Sequence, residues 1–328
     1  MTSAGLYCPA GQFFIDPTGP VDFAVVTHAH SDHVTRGCKS YLTSRSGLEL
    51  VAQRLRTPAV VTGVSFGETV TRNDVSLSLH PAGHVLGSAQ VRVEHRGEVW
   101  VVSGDYRCTP DPTCEPFEPV RCHTFITECT FGEPRFAWRP QSEVIAEVEA
   151  WWRRNQAAGR TSVLFAYALG KAQRILAAVN PELGPIVVHG AVNVVNNTYR
   201  RGGIVLPDVR LLPDFESDAA AKSGPRPLVV APPTAHFTGW FRRLGESHTA
   251  FASGWMDEPG ALEDRQVERG FVLSDHADFA ELHCAVAATG ASRVYAVHGA
   301  VDAFSASVRS RGREASPLPN ATHSFTRR

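Results

Sequence analysis

Residues 28–33 read His28-Ala29-His30-Ser31-Asp32-His33, three imidazoles and a carboxylate placed directly after the apolar run Phe23-Ala24-Val25-Val26. Core packing has no use for such a cluster. Imidazole is the commonest metal ligand among side chains and carboxylate a frequent second. An apolar run of this length predicts a strand, and a strand that hands over to a loop and then a helix can aim all four groups at one or two cations. The cluster therefore predicts half of a two-metal hydrolytic centre, with the other half supplied from elsewhere in the chain.

Four other segments offer matching groups. His84 lies in Pro81-Ala82-Gly83-His84-Val85-Leu86-Gly87-Ser88-Ala89, a glycine-flanked turn between two predicted strands. Asp105 follows the apolar run Val99-Trp100-Val101-Val102, His298 follows Val294-Tyr295-Ala296-Val297, and His276 stands in Leu273-Ser274-Asp275-His276-Ala277-Asp278. Strand ends bring polar groups to one rim of a sheet, where sites assemble. Hydrolysis of a phosphodiester needs a hydroxide at neutral pH and positive charge on the phosphoryl oxygens. Two cations ~3.5–4 Å apart supply both. On this reading one cation takes His28, His30 and His84, the other takes Asp32, His33 and His298, and Asp105 bridges. Nitrogen-rich, sulfur-free coordination suits Zn2+ and leaves Mn2+ open. The remaining histidines lack such a setting. His80, His95, His123, His248, His283 and His323 read as structural or solvent-facing, and His189 and His236 stay open.

The chain has 328 residues, enough for two lobes, and a 20% charged fraction typical of soluble globular proteins. Its net charge of −1 gives no global basic footprint, so a polyanion would have to be held by metals and a local groove. Seven cysteines without a C-x-x-C pair argue against a disulfide framework or a thiolate zinc site. Residues 1–10 lack a signal-peptide pattern, and no window reaches the ~18–20 unbroken apolar residues of a membrane span. The expected location is cytoplasmic, with no membrane partner.

Residues 1–130 read mostly as short strands, with a hairpin turning at His95-Arg96-Gly97-Glu98 and one helix over 46–55. After Glu133 the pattern becomes a strand–helix alternation. Helices are predicted over 141–158 and 171–179, and buried parallel strands at 162–165, 186–188 and 228–231. Residues 214–227 read as a surface loop. Strand–helix units return from Arg269, with helices near 279–288 and 301–310, and the tail after Ser316 looks loosely ordered.

His28-x-His30-x-Asp32-His33, followed by His84 and Asp105, resembles the metallo-β-lactamase fold, an α/β fold that forms an αββα sandwich with metals at one edge of its two sheets. Thr127-Glu128-Cys129-Thr130-Phe131-Gly132 resembles the acidic motif that opens the β-CASP region of nucleases. Phe165-Ala166-Tyr167-Ala168-Leu169-Gly170-Lys171-Ala172-Gln173 is similar to that family's strand–Gly–helix segment, and Ser253-Gly254-Trp255 to the end of its inserted lobe. Ser274-Asp275-His276-Ala277-Asp278 and Val297-His298-Gly299 resemble its second and third motifs. The resemblance implies a metallo-β-lactamase domain in residues 1–135 and 261–328 and an inserted α/β β-CASP lobe in 136–260. It also implies catalytic roles for Asp32, Glu128 and His276, the last two as an acid pair that protonates the leaving oxygen. Asp16 resembles the family's early acidic residue, which supports the metal ligands from behind.

The implied activity is a metal-dependent nuclease working by a two-metal hydroxide mechanism. The short chain resembles the bacterial ligase-associated DNA exonucleases, which implies DNA repair and a functional link to a DNA ligase or helicase. A His at the third motif is typical of RNA-cutting members. DNA is favoured as the nucleic-acid partner, a ribonuclease J-like RNA exo/endonuclease is the alternative, and a small-molecule hydrolase of the same fold is more remote. Lys171, Arg200-Arg201 and Arg242-Arg243 are candidates for phosphate contacts, and Tyr167, Phe237 and Trp240 for base stacking, with core packing favoured for these aromatics.

Overall fold

The computed structural model describes residues 2–56, 58–219 and 223–319. His323 and the end of the tail lie outside them. The fold is mixed α/β with three sheets, and the chain divides into two compact units, Met1–Ala137 with His276–Arg328, and Trp138–Asp275.

In the first unit, β1 (Leu6–Cys8), β2 (Phe13–Ile15), β3 (Phe23–Val25), β4 (Ser40–Ser44) and β5 (Val60–Val64) form a sheet in that order. Only the β1–β2 pair is antiparallel. A second sheet begins with the antiparallel run β6 (Thr69–Arg72), β7 (Val75–Pro81), β8 (Ala89–His95) and β9 (Glu98–Val102). β10 (Thr124–Cys129) then pairs parallel with β9.

Local sequence explains much of this sheet. The β8–β9 turn places Arg96 (φ 52°) and Gly97 (φ 81°) in the left-handed region, the backbone a two-residue type I′ hairpin requires. Alternation in β7 sends Val75, Leu77 and Leu79 into one apolar cluster with Phe13, Ile15, Val25, Leu42 and Val64, so this core joins both sheets.

The second unit contains β11 (Thr161–Phe165), β12 (Ile186–Val188), β13 (Arg210–Leu211), β14 (Leu228–Ala231), β15 (Ser247–Ala252) and β16 (Arg269–Phe271). They form one sheet in the order β13-β12-β14-β11-β15-β16 with every pair parallel. β11, β12 and β14 are buried along their whole length, which is why they read as unbroken apolar runs. β16 pairs with β15 and so belongs to this unit, which runs to Asp275. One sequence expectation is corrected here. Residues 214–227 do not form only a loop, because the helix Leu212–Ser217 occupies the start. The helix Gly190–Arg201 was not foreseen. It is capped by His189, whose Nδ1 accepts from the Ala191 N–H at 3.1 Å, a role more usual for Ser, Thr, Asp or Asn.

The chain returns to the first unit with β17 (Arg293–Gly299) and β18 (Glu314–Pro317), which extend the second sheet to the order β18-β17-β10-β9-β8-β7-β6. The helices Phe279–Thr289 and Val301–Ser310 contribute Leu282, Ala285, Val286, Phe304 and Val308 to a cluster with Val101, Phe125, Val294 and Ala296 of this sheet. No helix among the described residues is long and apolar enough to cross a membrane.

This topology places the candidate ligands together. β9, β10 and β17 run parallel, so the segments at their carboxyl ends, carrying Asp105, Glu128 and His298, share one edge. The Val91↔Val102 pairing puts the β7–β8 turn with His84 at the same edge. The Ala89 N–H donates to the Thr27 carbonyl at 2.9 Å, which joins the exit of β3 to it.

Candidate metal centre

His28, His30, His84 and Asp105 each present one ligand atom, all within 4.8 Å of one another. His30 Nδ1 lies 3.1 Å from both His28 Nε2 and His84 Nε2. Nitrogens about 2.0–2.1 Å from a tetrahedral zinc lie about 3.3 Å apart, so the spacing suits one cation among these rings. Asp105 Oδ2 lies 3.5 Å from His28 Nε2, 3.5 Å from His33 Nε2 and 3.8 Å from His84 Nε2. One carboxylate oxygen thus faces histidines of both expected subsites. His28, His33, His84 and Asp105 are buried, and no thiol enters the set. The donors fit a hard or borderline divalent cation.

His33 is oriented from behind. Its Nδ1 lies 2.7 Å from Asp16 Oδ2, which turns Nε2 toward Asp105. Asp16 also accepts from the Thr27 N–H at 2.8 Å, from a backbone with φ 43°.

Asp32 and His298 stand differently. The Asp32 side chain is 74% exposed, its Oδ2 is 3.8 Å from His33 Nε2, and it does not join the four-residue group. His298 is exposed, with its ring centroid 6.1 Å from that of His33. Its position follows from a β-bulge. Glu128 pairs with Val297 and Cys129 with Gly299, leaving His298 as the extra residue at φ 57°. Gly299 makes the bulge possible, since a Cβ there would meet the Cys129 carbonyl oxygen at 2.2 Å.

Glu128 is buried and fully engaged. Oε1 accepts from the Tyr106 N–H at 2.9 Å, Oε2 accepts from the Thr130 hydroxyl, and His276 Nδ1 is 3.0 Å from both oxygens. Glu128 therefore holds the His276 ring by Nδ1, and the ring lies beside that of His84, tilted by 54° with centroids 4.7 Å apart. Asp105, Glu128 and His276 form a second group of converging donors.

The charges are strongly coupled. Burial, then the His33 charge, holds the His28 pKa well below the usual imidazole value. Burial pulls His33 the same way, but Asp105 and Asp16 outweigh it and hold its pKa well above 6.5. Burial raises Asp105, yet the charge and hydrogen bond of His33 together with the His276 and His28 charges outweigh that and hold it well below the usual carboxylate range. Asp105 and Asp16 favour a proton on His33, and a cation held at its Nε2 would have to displace that proton. The sign follows: His33 keeps its proton above the ordinary imidazole pKa, so metal affinity should still be rising with pH beyond 6.5. Calorimetry in buffers of different ionisation enthalpy should show proton release on zinc binding. Affinity independent of pH between 6 and 8, on the order of the range where imidazoles titrate, would contradict this.

Lys171 is a correction. It is buried, and its Nζ donates to Asp275 and, at 3.2 Å, to the Leu273 carbonyl, so its charge is engaged inside the second unit rather than offered to a phosphate. Tyr167 is exposed beyond β11 rather than in the core, with its ring centroid 6.2 Å from that of Phe251. Phe237 is exposed rather than in the core, stacked on His236, while Trp240 packs against the second unit's apolar cluster. The sequence reading missed Thr27 and the pair that fixes Glu128, Thr130 and the Tyr106 N–H. A threonine at a strand exit carries no signal of its own, although its place immediately before His28 was available.

No protein-family model matches the chain. It is 33% identical over 316 residues to a protein of Opitutus terrae named "Probable DNA ligase", covering 95% of this chain and 30% of that one. It is 28% identical over 170 residues to the "Endoribonuclease ysh1" of Aspergillus fumigatus, 49% of this chain and 19% of that one. It is 26% identical over 195 residues to the "Ribonuclease TTHA0252" of Thermus thermophilus, 50% of this chain and 44% of that one. The chain thus spans less than half the length of each of these three relatives. Among solved structures, a protein of unknown function from Enterococcus faecalis superposes with TM-score 0.60 at 12% identity, over 90% of this chain and 79% of that one. The two share a fold.

Proposed function

We propose that this chain is a metal-dependent nuclease of the metallo-β-lactamase/β-CASP type, an αββα sandwich carrying an inserted α/β lobe, and that its substrate is single-stranded DNA, cut as an exonuclease in DNA repair. The observation that carries this is Asp105 Oδ2 among the Nε2 atoms of His28, His33 and His84, with the Glu128–His276 pair beside it. The names of the relatives support nucleic acid as substrate. The ligase-named protein, similar over 95% of this chain, favours DNA. The two ribonuclease-named proteins, similar over about half of it, favour RNA as the second reading.

His28, His30, His84 and Asp105 would hold one divalent cation, Zn2+ or Mn2+. His33, Asp32 and His298 would hold the second, with Asp105 shared between the two. Cations there supply charge stabilisation to phosphoryl oxygens and acidify water. The chain's own groups do the rest. Asp16 fixes His33. Burial of His28, His33, His84 and Asp105 limits water around these four donors. Glu128 anchors His276 at Nδ1, so a proton on Nε2 can pass to the departing sugar oxygen.

The test is digestion of matched single-stranded DNA and RNA, each labelled at one end, with Zn2+ and then Mn2+. Stepwise shortening of DNA at a rate at least about tenfold above RNA is the expected result, a difference of ~1.4 kcal/mol in transition-state binding. Faster loss of RNA favours the ribonuclease reading. Cleavage of neither, beside turnover of a chromogenic lactam or thioester, sinks both.

A further inference from the structure

Thr27 is fully buried at the exit of β3, and its hydroxyl touches three groups of the metal centre. Oγ1 donates to Asp16 Oδ2 at 2.5 Å, lies 3.1 Å from His28 Nδ1, and lies 3.4 Å from His33 Nδ1. A hydroxyl has one proton and two lone pairs. Its proton goes to Asp16, so the 3.1 Å contact is a hydrogen bond only if His28 donates from Nδ1. That places the single proton of a neutral His28 on Nδ1 and leaves Nε2, the atom facing Asp105 and His30, bare for a cation. His33 Nδ1 has the nearer acceptor in Asp16 at 2.7 Å, so the 3.4 Å contact is secondary.

The hydroxyl is also held in place. Gly104 stands at φ 58° against it, and a Cβ there would meet Thr27 Cβ at 2.8 Å and Oγ1 at 2.9 Å. The Thr27 N–H donates to Asp16 Oδ1 at 2.8 Å, so backbone and side chain grip the two oxygens of one carboxylate.

We propose that Thr27 is the positioning residue that fixes the tautomer of His28 for metal binding, and that the Asp16 carboxylate thereby orients one histidine of each metal subsite, His33 directly and His28 through the Thr27 hydroxyl. This rests on the metal reading above for its consequence, but the tautomer is a property of the metal-free chain and is measured there.

The test uses Thr27→Val, which keeps the branched shape and removes the hydroxyl, beside Thr27→Ser, which keeps it. In metal-free protein labelled with 15N-histidine, the wild type and Thr27→Ser should show the His28 Nδ1–H tautomer, and Thr27→Val should lose it. Zinc titration against a chromophoric chelator should show one of two sites weakened about 10–100-fold in Thr27→Val, the usual effect of losing a supporting hydrogen bond, and near wild-type binding in Thr27→Ser. If Thr27→Val does not fold, Thr27→Ala against Thr27→Ser makes the same comparison, since these differ only in the hydroxyl. A His28 tautomer unchanged by loss of the hydroxyl overturns the proposal, whatever the metal content. A wild type that binds no divalent cation overturns the metal reading, while the tautomer still decides the role of Thr27.

Discussion

Asp105→Ala is expected to lower phosphodiester cleavage by at least about 10³-fold, because charge stabilisation worth several kcal/mol is lost and each ~1.4 kcal/mol is a factor of ten. Asp105 Oδ2 lies within 3.8 Å of His28, His33 and His84 alike, so its removal disturbs both subsites rather than one. It also removes the carboxylate that holds the proton on His33, so the variant should bind fewer than two equivalents of zinc with weaker pH dependence. Rates on end-labelled DNA, metal content by elemental analysis and circular dichroism together make the test. A folded Asp105→Ala protein that cleaves at the wild-type rate would end the case for a bridging carboxylate.

His276→Ala is expected to cost about 10²–10⁴-fold on DNA, the usual range for loss of a general acid. The effect should depend on the leaving group. A deoxyribose oxygen needs a proton as it departs, whereas nitrophenolate leaves without one. On a nitrophenyl phosphodiester the variant should therefore fall by less than about tenfold, with most of the remaining machinery intact. The structural basis is the two 3.0 Å contacts from His276 Nδ1 to Glu128, which direct the ring's other nitrogen away from that carboxylate. Equal losses on both substrates would mean that His276 holds structure or metal instead of delivering a proton.

The convergence of the candidate donors His28, His30, His84 and Asp105 was readable because each group sits on a local device. His28 follows an apolar strand, His84 lies in a turn between two antiparallel strands with Gly83 and Gly87 at positive φ, and Asp105 follows Gly104 at the end of β9. The β8–β9 hairpin was readable for the same reason, since Arg96-Gly97 is a local turn. Elsewhere the outcome hung on distant groups. His298 is moved by a bulge that depends on Gly299 approaching the Cys129 carbonyl, a contact across 170 positions of chain. Lys171 looked like a phosphate contact at a helix start until burial paired it with Asp275. The helix Gly190–Arg201 escaped notice because its asparagines are poor helix formers and its cap is a histidine.

By itself, the sequence determined which donors exist and at what kind of backbone position each stands, because ligand type and turn chemistry are local properties. Tertiary structure decided which donors meet. Two sheets packed on one apolar core bring the exit of β3, the β7–β8 turn and the end of β9 to one edge, and that packing sets the 3.5 Å from Asp105 to His28 and His33. It also leaves Asp32 in solvent and gives Thr27 its buried place between Asp16 and His28. Spacing along a chain fixes neither result, because a hydrogen bond is made or lost within a few tenths of an ångström, and only the packed core fixes positions that closely.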